Sequence, residues 1–315
     1  MNKKINGLQV SSILYEELNK YLLRKQETIP RVVDLSIGSD FGGQMYAKMK
    51  ERTISNKTII DFMSVHFNEM SKEELEDYIT RINSDKTITG MMIQLPLPEN
   101  LKGEERRLLD MISPKKDVDG LTSLSAGKLS TGDTTLIPCT PRGIEMLLKA
   151  YDVSLEGKKV AIINRSNIVG KPLAELMLQN NATPIICHSK TKDLESITRD
   201  CDIVIAALNK QEYITEKFVK EGAVIIDVGV HKNKNGKTVG DVAFDKVYDK
   251  VSLITPPTGA VGPMTICMLA YNSAKSIHGE EVDEVLYNGI EKAKRLITVS
   301  YTHLRAHETE ADIVC

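Results

Sequence analysis

A chain of 315 residues can fill two domains of ordinary size, each with its own core. Charged side chains make up 27% of it and the formal net charge is −2, which excludes a nucleic-acid footprint or an anionic-membrane partner and points to a small molecule. The longest apolar runs, such as residues 223–228, cannot cross a bilayer, and the opening MNKKINGLQVSSIL lacks a signal peptide's apolar core, so a cytoplasmic enzyme is expected.

In chain order, helical patterns at residues 10–23, 43–55 and 72–83 alternate with apolar runs at 32–37, 58–63 and 90–95. Residues 123–135, rich in Ser, Thr and Gly, predict a flexible crossing, after which Pro138 and Pro141 fix the entry to a helix over 143–151. A β-branched run at 160–163, a tight turn over 164–170 and a helix with Pro172 in its first turn follow at once, with Leu173, Leu176 and Met177 forming the helix's apolar face. Backbone N–H groups at such a helix start suit a pyrophosphate. Further strands at 183–187, 202–206 and 223–228, a helical segment at 215–220 and a last helical stretch at 264–277 complete the pattern. The fold class is α/β: two α/β domains, the second a Rossmann-like doubly wound parallel sheet. Five cysteines, scattered and never in a CxxC pair, predict buried thiols with no disulfide frame and no metal site. Residues 299–315 show no clear periodicity and read as a non-native tail outside the fold.

The second nucleotide-side strand ends in His188, Ser189, Lys190 and Thr191, with no carboxylate there. An acidic residue at that place takes the ribose hydroxyls of NAD, whereas cationic and hydroxyl groups suit the extra phosphate of NADP. Arg165, inside the first turn, can fork onto the same phosphate. In the first half, Tyr46 and Lys50 stand at i and i+4 on one helical face, with Met45 and Met49 expected to pack the other. Gln94 and two prolines close the run GMMIQLPLPEN, and SPKKDVDGL is a turn carrying Asp117 and Asp119.

These motifs, followed in order by PCTPRG, NRSNIVGKP, CHSKT, IIDVGV, GDV and GAVGPMT, resemble the bifunctional methylenetetrahydrofolate dehydrogenase and methenyltetrahydrofolate cyclohydrolase family, the bacterial FolD type, from about Asn6 to about Lys275. The resemblance implies residues 1–140 as a folate-binding catalytic domain completed by a C-terminal helix at about 264–296, and residues 141–263 as an NADP-binding Rossmann domain. It also implies a cleft between the two and a cytoplasmic homodimer serving one-carbon metabolism. Lys50 then matches the central catalytic lysine and Gln94 the glutamine that tunes it. Tyr46 matches the tyrosine stacked on the folate and Asp119 the aspartate anchoring the pterin. Gly259 and Pro263 match substrate-loop positions. Asn164, Arg165, Ser166, Ile168, Ser189 and Val230 match the NADP-binding set. A lysine enclosed by an amide and an aromatic ring suits proton transfer, because burial disfavours the charged form.

The implied reaction is oxidation of 5,10-methylenetetrahydrofolate with NADP, then hydrolysis to 10-formyltetrahydrofolate. The alternatives are a dehydrogenase with weak cyclohydrolase, or a homologue that binds folate or nucleotide without turnover. The chain departs from the family pattern at Gly43, in DGLTSLS (119–125), in PPTGAVGPMT (256–265), and at Asn164 and Asn209, where glycine is usual. Asparagine tolerates positive φ, which predicts that the backbone geometry survives.

Overall fold

The computed structural model describes the backbone of residues 3–39 and 41–311, and the side chains of 3–39 and 42–299. It divides into two compact units, one of Tyr15–Cys139 with Ile266–Leu286, the other of Met1–Leu14, Thr140–Thr265 and Tyr287–Cys315. Neither unit is a single run of sequence. Ile5 N donates to Ile254 O and Leu8 N to Gly259 O, both at 2.9 Å, which fastens the first residues to the second half. Beyond Tyr287 the last helix also belongs there: the Tyr287 hydroxyl takes a 3.1 Å bond from Arg142, and Lys294 pairs with Asp152 at 2.7 Å. Of the stretch 264–296 expected to complete the first domain, Ile266–Leu286 falls in the unit of Tyr15–Cys139.

In the first half, helix α1 (Gly7–Leu22) precedes strand β1 (Arg31–Ile37), helix α2 (Phe41–Lys57), strand β2 (Asp61–Phe67), helix α3 (Lys72–Ser84) and strand β3 (Gly90–Ile93). The strands form a parallel sheet in the order β2-β1-β3. The expected strand at 58–63 starts three residues late because α2 runs on, with Thr58 still bonded through its N–H and Oγ1 to Ile54 O, each at 2.9 Å. Helix α3 carries a full capping box, Ser71 with Glu74. After helix α4 (Glu105–Asp110), the expected flexible crossing is instead helix α5 (Ser123–Ser130). Its polar composition is used for capping, Thr122 Oγ1 accepting from Ser125 N at 3.2 Å, while Leu129 is buried at 1% exposure.

The second half opens with helix α6 (Cys139–Ala150), then strand β4 (Lys159–Ile163), helix α7 (Gly170–Gln179), strand β5 (Thr183–Cys187), helix α8 (Leu194–Arg199), and strands β6 (Ile203–Ala206) and β7 (Val224–Asp227). One turn of 3₁₀ helix, Glu216–Phe218, replaces the helix expected at 215–220. A two-stranded ribbon, β8 (His231–Lys232) with β9 (Thr238–Val239), precedes the short helix α9 (Phe244–Val247), strand β10 (Leu253–Ile254), helix α10 (Val261–His278) and helix α11 (Glu281–Ala311). The five-stranded parallel sheet has the order β10-β7-β6-β4-β5. From β4 the chain goes out to β5 and then back past β4 to β6, so the strand order reverses beside the carboxyl end of β4, where doubly wound sheets bind ligands. Strand β6, at the centre of the sheet, is apolar throughout, Ile203–Ala206 being at most 1% exposed.

Helix α11 passes through residues 299–311, part of the stretch set aside above as a tail, and residues 312–315 lie outside the described residues. Ile290, Ala293 and Ile297 give it a buried stripe at i, i+3 and i+7. Cys139, Cys187, Cys201 and Cys267 are buried and in no disulfide, and Cys315 lies outside the described residues. No helix among the described residues is long and apolar enough to cross a membrane.

Candidate functional site

Helix α2 buries Ala47, Lys50 and Ile54, while Met45 and Met49 are 58% and 47% exposed. The expectation that the two methionines pack this helix is overturned: its buried stripe runs through the lysine. Lys50 is 2% exposed, and its Nζ lies 2.8 Å from Gln94 Oε1, 2.8 Å from Asp34 Oδ2 and 3.6 Å from Met92 Sδ. The Tyr46 ring covers the same ammonium, with Nζ 5.2 Å from the ring centroid. Gln94 is held by both ends: its N–H extends the β1/β3 ladder onto Leu35 O at 2.8 Å, and its amide donates to Leu95 O at 3.3 Å, leaving Oε1 for the lysine. Burial, followed by the charge of Asp119, pushes the half-buried Tyr46 phenol up, so it stays protonated as a donor.

The two aspartates of the SPKKDVDGL turn have separate tasks. Asp117 accepts from Leu121 N at 3.1 Å, Thr122 N at 3.0 Å and Ser125 Oγ at 2.6 Å, which fixes the start of α5. Asp119 has its carboxyl beside the Cys139 thiol, and its enclosure pushes it up to about 6 against the pull of Lys50. The turn sits close to β3 because residue 90 is a glycine. A Cβ there would stand 2.5 Å from Val118 Cγ1 and 3.1 Å from Val32 Cγ2. Tyr46, Lys50, Gln94 and Asp119 thus meet in one unit.

In the other unit, β4 pairs with β5 so that Ile163 faces Cys187, which sets the turns after both strands side by side. Asn164 builds the first turn with its side chain: Oδ1 accepts from Ser166 N at 2.8 Å and Gly170 N at 3.1 Å, and Nδ2 donates to Ala207 O at 2.6 Å. Only glycine fits at 170, where a Cβ would overlap the Asn164 carbonyl. Of the two asparagines standing for glycine, Asn209 has the positive φ, +55°, whereas Asn164 works through hydrogen bonds.

The helix-start donors expected to meet a pyrophosphate are occupied within the turn. Val169 N bonds Ser166 Oγ, Gly170 N bonds Asn164 Oδ1, and Lys171 N bonds Ser166 O. Arg165 is exposed and makes no ion pair among the described residues; Ser189 is exposed at the neighbouring strand end, where Lys190 N donates to His188 Nδ1 at 3.1 Å. Ile168 and Val230 are apolar and 39% and 67% exposed. An exposed guanidinium with no ion pair among the described residues, and an exposed hydroxyl on the neighbouring turn, are groups that suit a phosphate. Gly259, with φ +81°, and Pro263, in the first turn of α10, belong to this second unit.

Comparison with known proteins agrees with both halves. A family model described as tetrahydrofolate dehydrogenase/cyclohydrolase, catalytic domain, matches residues 5–119, and its NAD(P)-binding domain counterpart matches residues 138–281. The chain belongs to the tetrahydrofolate dehydrogenase/cyclohydrolase family. It is 41% identical over 278 residues to a bifunctional protein FolD of Enterococcus faecalis, covering 88% of this chain and 98% of that one. The crystal structure of the FolD methylenetetrahydrofolate dehydrogenase/cyclohydrolase of Campylobacter jejuni superposes with a TM-score of 0.82 at 38% identity, covering 86% of this chain and 97% of the other. The Trypanosoma brucei enzyme, solved with NADP cofactor and an inhibitor, gives a TM-score of 0.80 at 30% identity, covering 87% and 96%.

Within this family fold, Asp34 is the site residue that sequence reasoning missed. The available signal was a lone acid inside the strand run VVDLSI, where an unpaired carboxylate is costly.

Proposed function

We propose that the chain oxidises 5,10-methylenetetrahydrofolate to the 5,10-methenyl form with NADP and hydrolyses that product to 10-formyltetrahydrofolate. The observation that carries this reading is the buried Lys50 ammonium held by Gln94 under the Tyr46 ring, with Asp119 beside it, inside the stretch that matches the family's catalytic domain. NADP, when bound, supplies the hydride acceptor. Tyr46 offers its face to the folate ring system, and Asp119, once ionised, accepts N–H bonds from the pterin edge. Arg165, with Ser166 and Ser189, pairs with the cofactor's 2′-phosphate, while Asn164 holds their turn and Ile168 and Val230 line it. Gly259 and Pro263 border the substrate.

Lys50 moves protons as water adds to the methenyl carbon and the ring opens. Gln94 holds the ammonium in place for this. Orientation of the donor carbon serves the hydride step, and both steps act on the same carbon. The same reading carries a homodimer in the cytoplasm, the dimer being measurable by sedimentation equilibrium. The test is spectrophotometric: methylenetetrahydrofolate with NADP or NAD, and separately the hydrolysis of supplied methenyltetrahydrofolate. Turnover in both assays with preference for NADP is expected. Dehydrogenation without hydrolysis would instead favour a monofunctional enzyme, and turnover in neither would refute catalysis.

A further inference from the structure

The reading above leaves one contact of Lys50 without a role. Asp34 stands mid-strand in β1, 0% exposed, paired across the ladders with Ser64 of β2 and Met92 of β3. Side chains two apart on a strand share a face, so Asp34, Met92 and Gln94 form one stripe, the stripe that meets Lys50. Ser64 Oγ donates to Ala47 O at 3.0 Å and ties α2 onto the same face.

Apart from the 2.8 Å contact with Lys50, neither Asp34 oxygen receives a hydrogen bond. Asp117, a buried acid of the same unit that organises backbone, accepts two N–H bonds and one O–H bond instead. An aliphatic residue would serve β1 better than a carboxylate that organises nothing else.

We propose that Asp34 is a positioning residue for Lys50, its carboxylate anchoring the ammonium in the one orientation that Gln94 and the Tyr46 ring also meet. This rests on the assignment of proton transfer to Lys50. The remaining ionisable groups around the pair are Tyr46 and Glu51 on α2, Asp117 and Asp119 in the turn after β3, and Cys139 at the start of α6. Asp117 is engaged with backbone and Ser125, and of these carboxylates Asp34 is the one within ion-pair distance of Lys50 among the described residues. Burial pushes its carboxyl above the usual carboxylate range, with Lys50 pulling the other way, as expected of a group whose ionised form depends on this lysine.

Asp34→Asn keeps the shape and removes the charge. In hydrolysis of supplied methenyltetrahydrofolate its kcat should fall at least ~10-fold while KM stays within about threefold, and the pH–rate profile should no longer superimpose on that of the wild type. A kcat within about twofold of wild type on a superimposable pH profile overturns the proposal. Should the variant not fold, ammonium-selective ¹H–¹⁵N spectra of the wild-type protein decide. A slowly exchanging Lys50 Nζ signal near neutral pH supports anchoring, and a freely exchanging one refutes it. Lys50→Met run alongside separates the two claims. If it hydrolyses normally, the Lys50 reading has failed. If it is inactive while Asp34→Asn is normal, only the role of Asp34 has.

Discussion

Lys50→Met is the most informative perturbation of this protein, because it strikes chemistry and stability in separable ways. General acid–base catalysis contributes ~100-fold to ~10,000-fold, and hydrolysis of methenyltetrahydrofolate should lose at least that, or ~2.7–5.4 kcal/mol of barrier lowering. Hydride transfer, which depends mainly on orientation, should lose less. Stability should fall too. With Lys50 gone, Asp34 is left 0% exposed with no partner, and breaking a buried pair in this way costs ~3–5 kcal/mol. At ~2–4 °C per kcal/mol this is a drop in Tm of roughly 6–20 °C, less whatever Asp34 recovers by taking up a proton.

The pH dependence follows from the raised carboxyl of Asp34. Below about pH 4 the group is protonated in both folded and unfolded chains and the penalty vanishes; as pH rises the unfolded chain ionises first, so the gap to wild type widens toward neutrality. Adding Asp34→Asn should recover part of the lost Tm but none of the activity. The assays are methenyltetrahydrofolate hydrolysis corrected for spontaneous breakdown, and thermal melts across that pH range. Hydrolysis at the wild-type rate, or a Tm gap independent of pH, would refute the reasoning.

Arg165→Ala removes a charge-assisted contact worth about 1.5–3 kcal/mol, so NADP affinity should fall roughly 10-fold to 150-fold with NAD affinity unchanged; equal losses for both would remove Arg165 from the 2′-phosphate site. Asp119, held at about 6, must be ionised to accept pterin N–H bonds, so KM for the folate should rise as pH falls through about 6, and a flat KM there would contradict its anchoring role. Truncation after Arg295 removes Ile297, 7% exposed, and should cost ~1.5–3 kcal/mol, read as a Tm several degrees lower than the full chain's.

Much of this protein was legible without coordinates because its signals are local. Strand 183–187 and the run 160–163 are short apolar segments between turn residues, and 72–83 shows a helical pattern. The order of motifs from Tyr46 to the GAVGPMT loop carried the family resemblance and, with it, Lys50, Gln94 and Asp119. Tertiary structure decided what local pattern could not. Residues 123–135 look like a linker by composition, yet Asp117, eight residues before Ser125, accepts from Ser125 Oγ and from the N–H of the capping Thr122 and so fixes the start of α5. Met45 and Met49 look like packing residues, but the face of α2 that meets the sheet carries Lys50 against Asp34, Met92 and Gln94, two of them more than forty residues from the lysine. A carboxylate inside an apolar strand is costly by itself and useful only beside a cation, and the meeting of β1 with α2 that supplies it is a property of the folded chain, beyond what either segment shows alone.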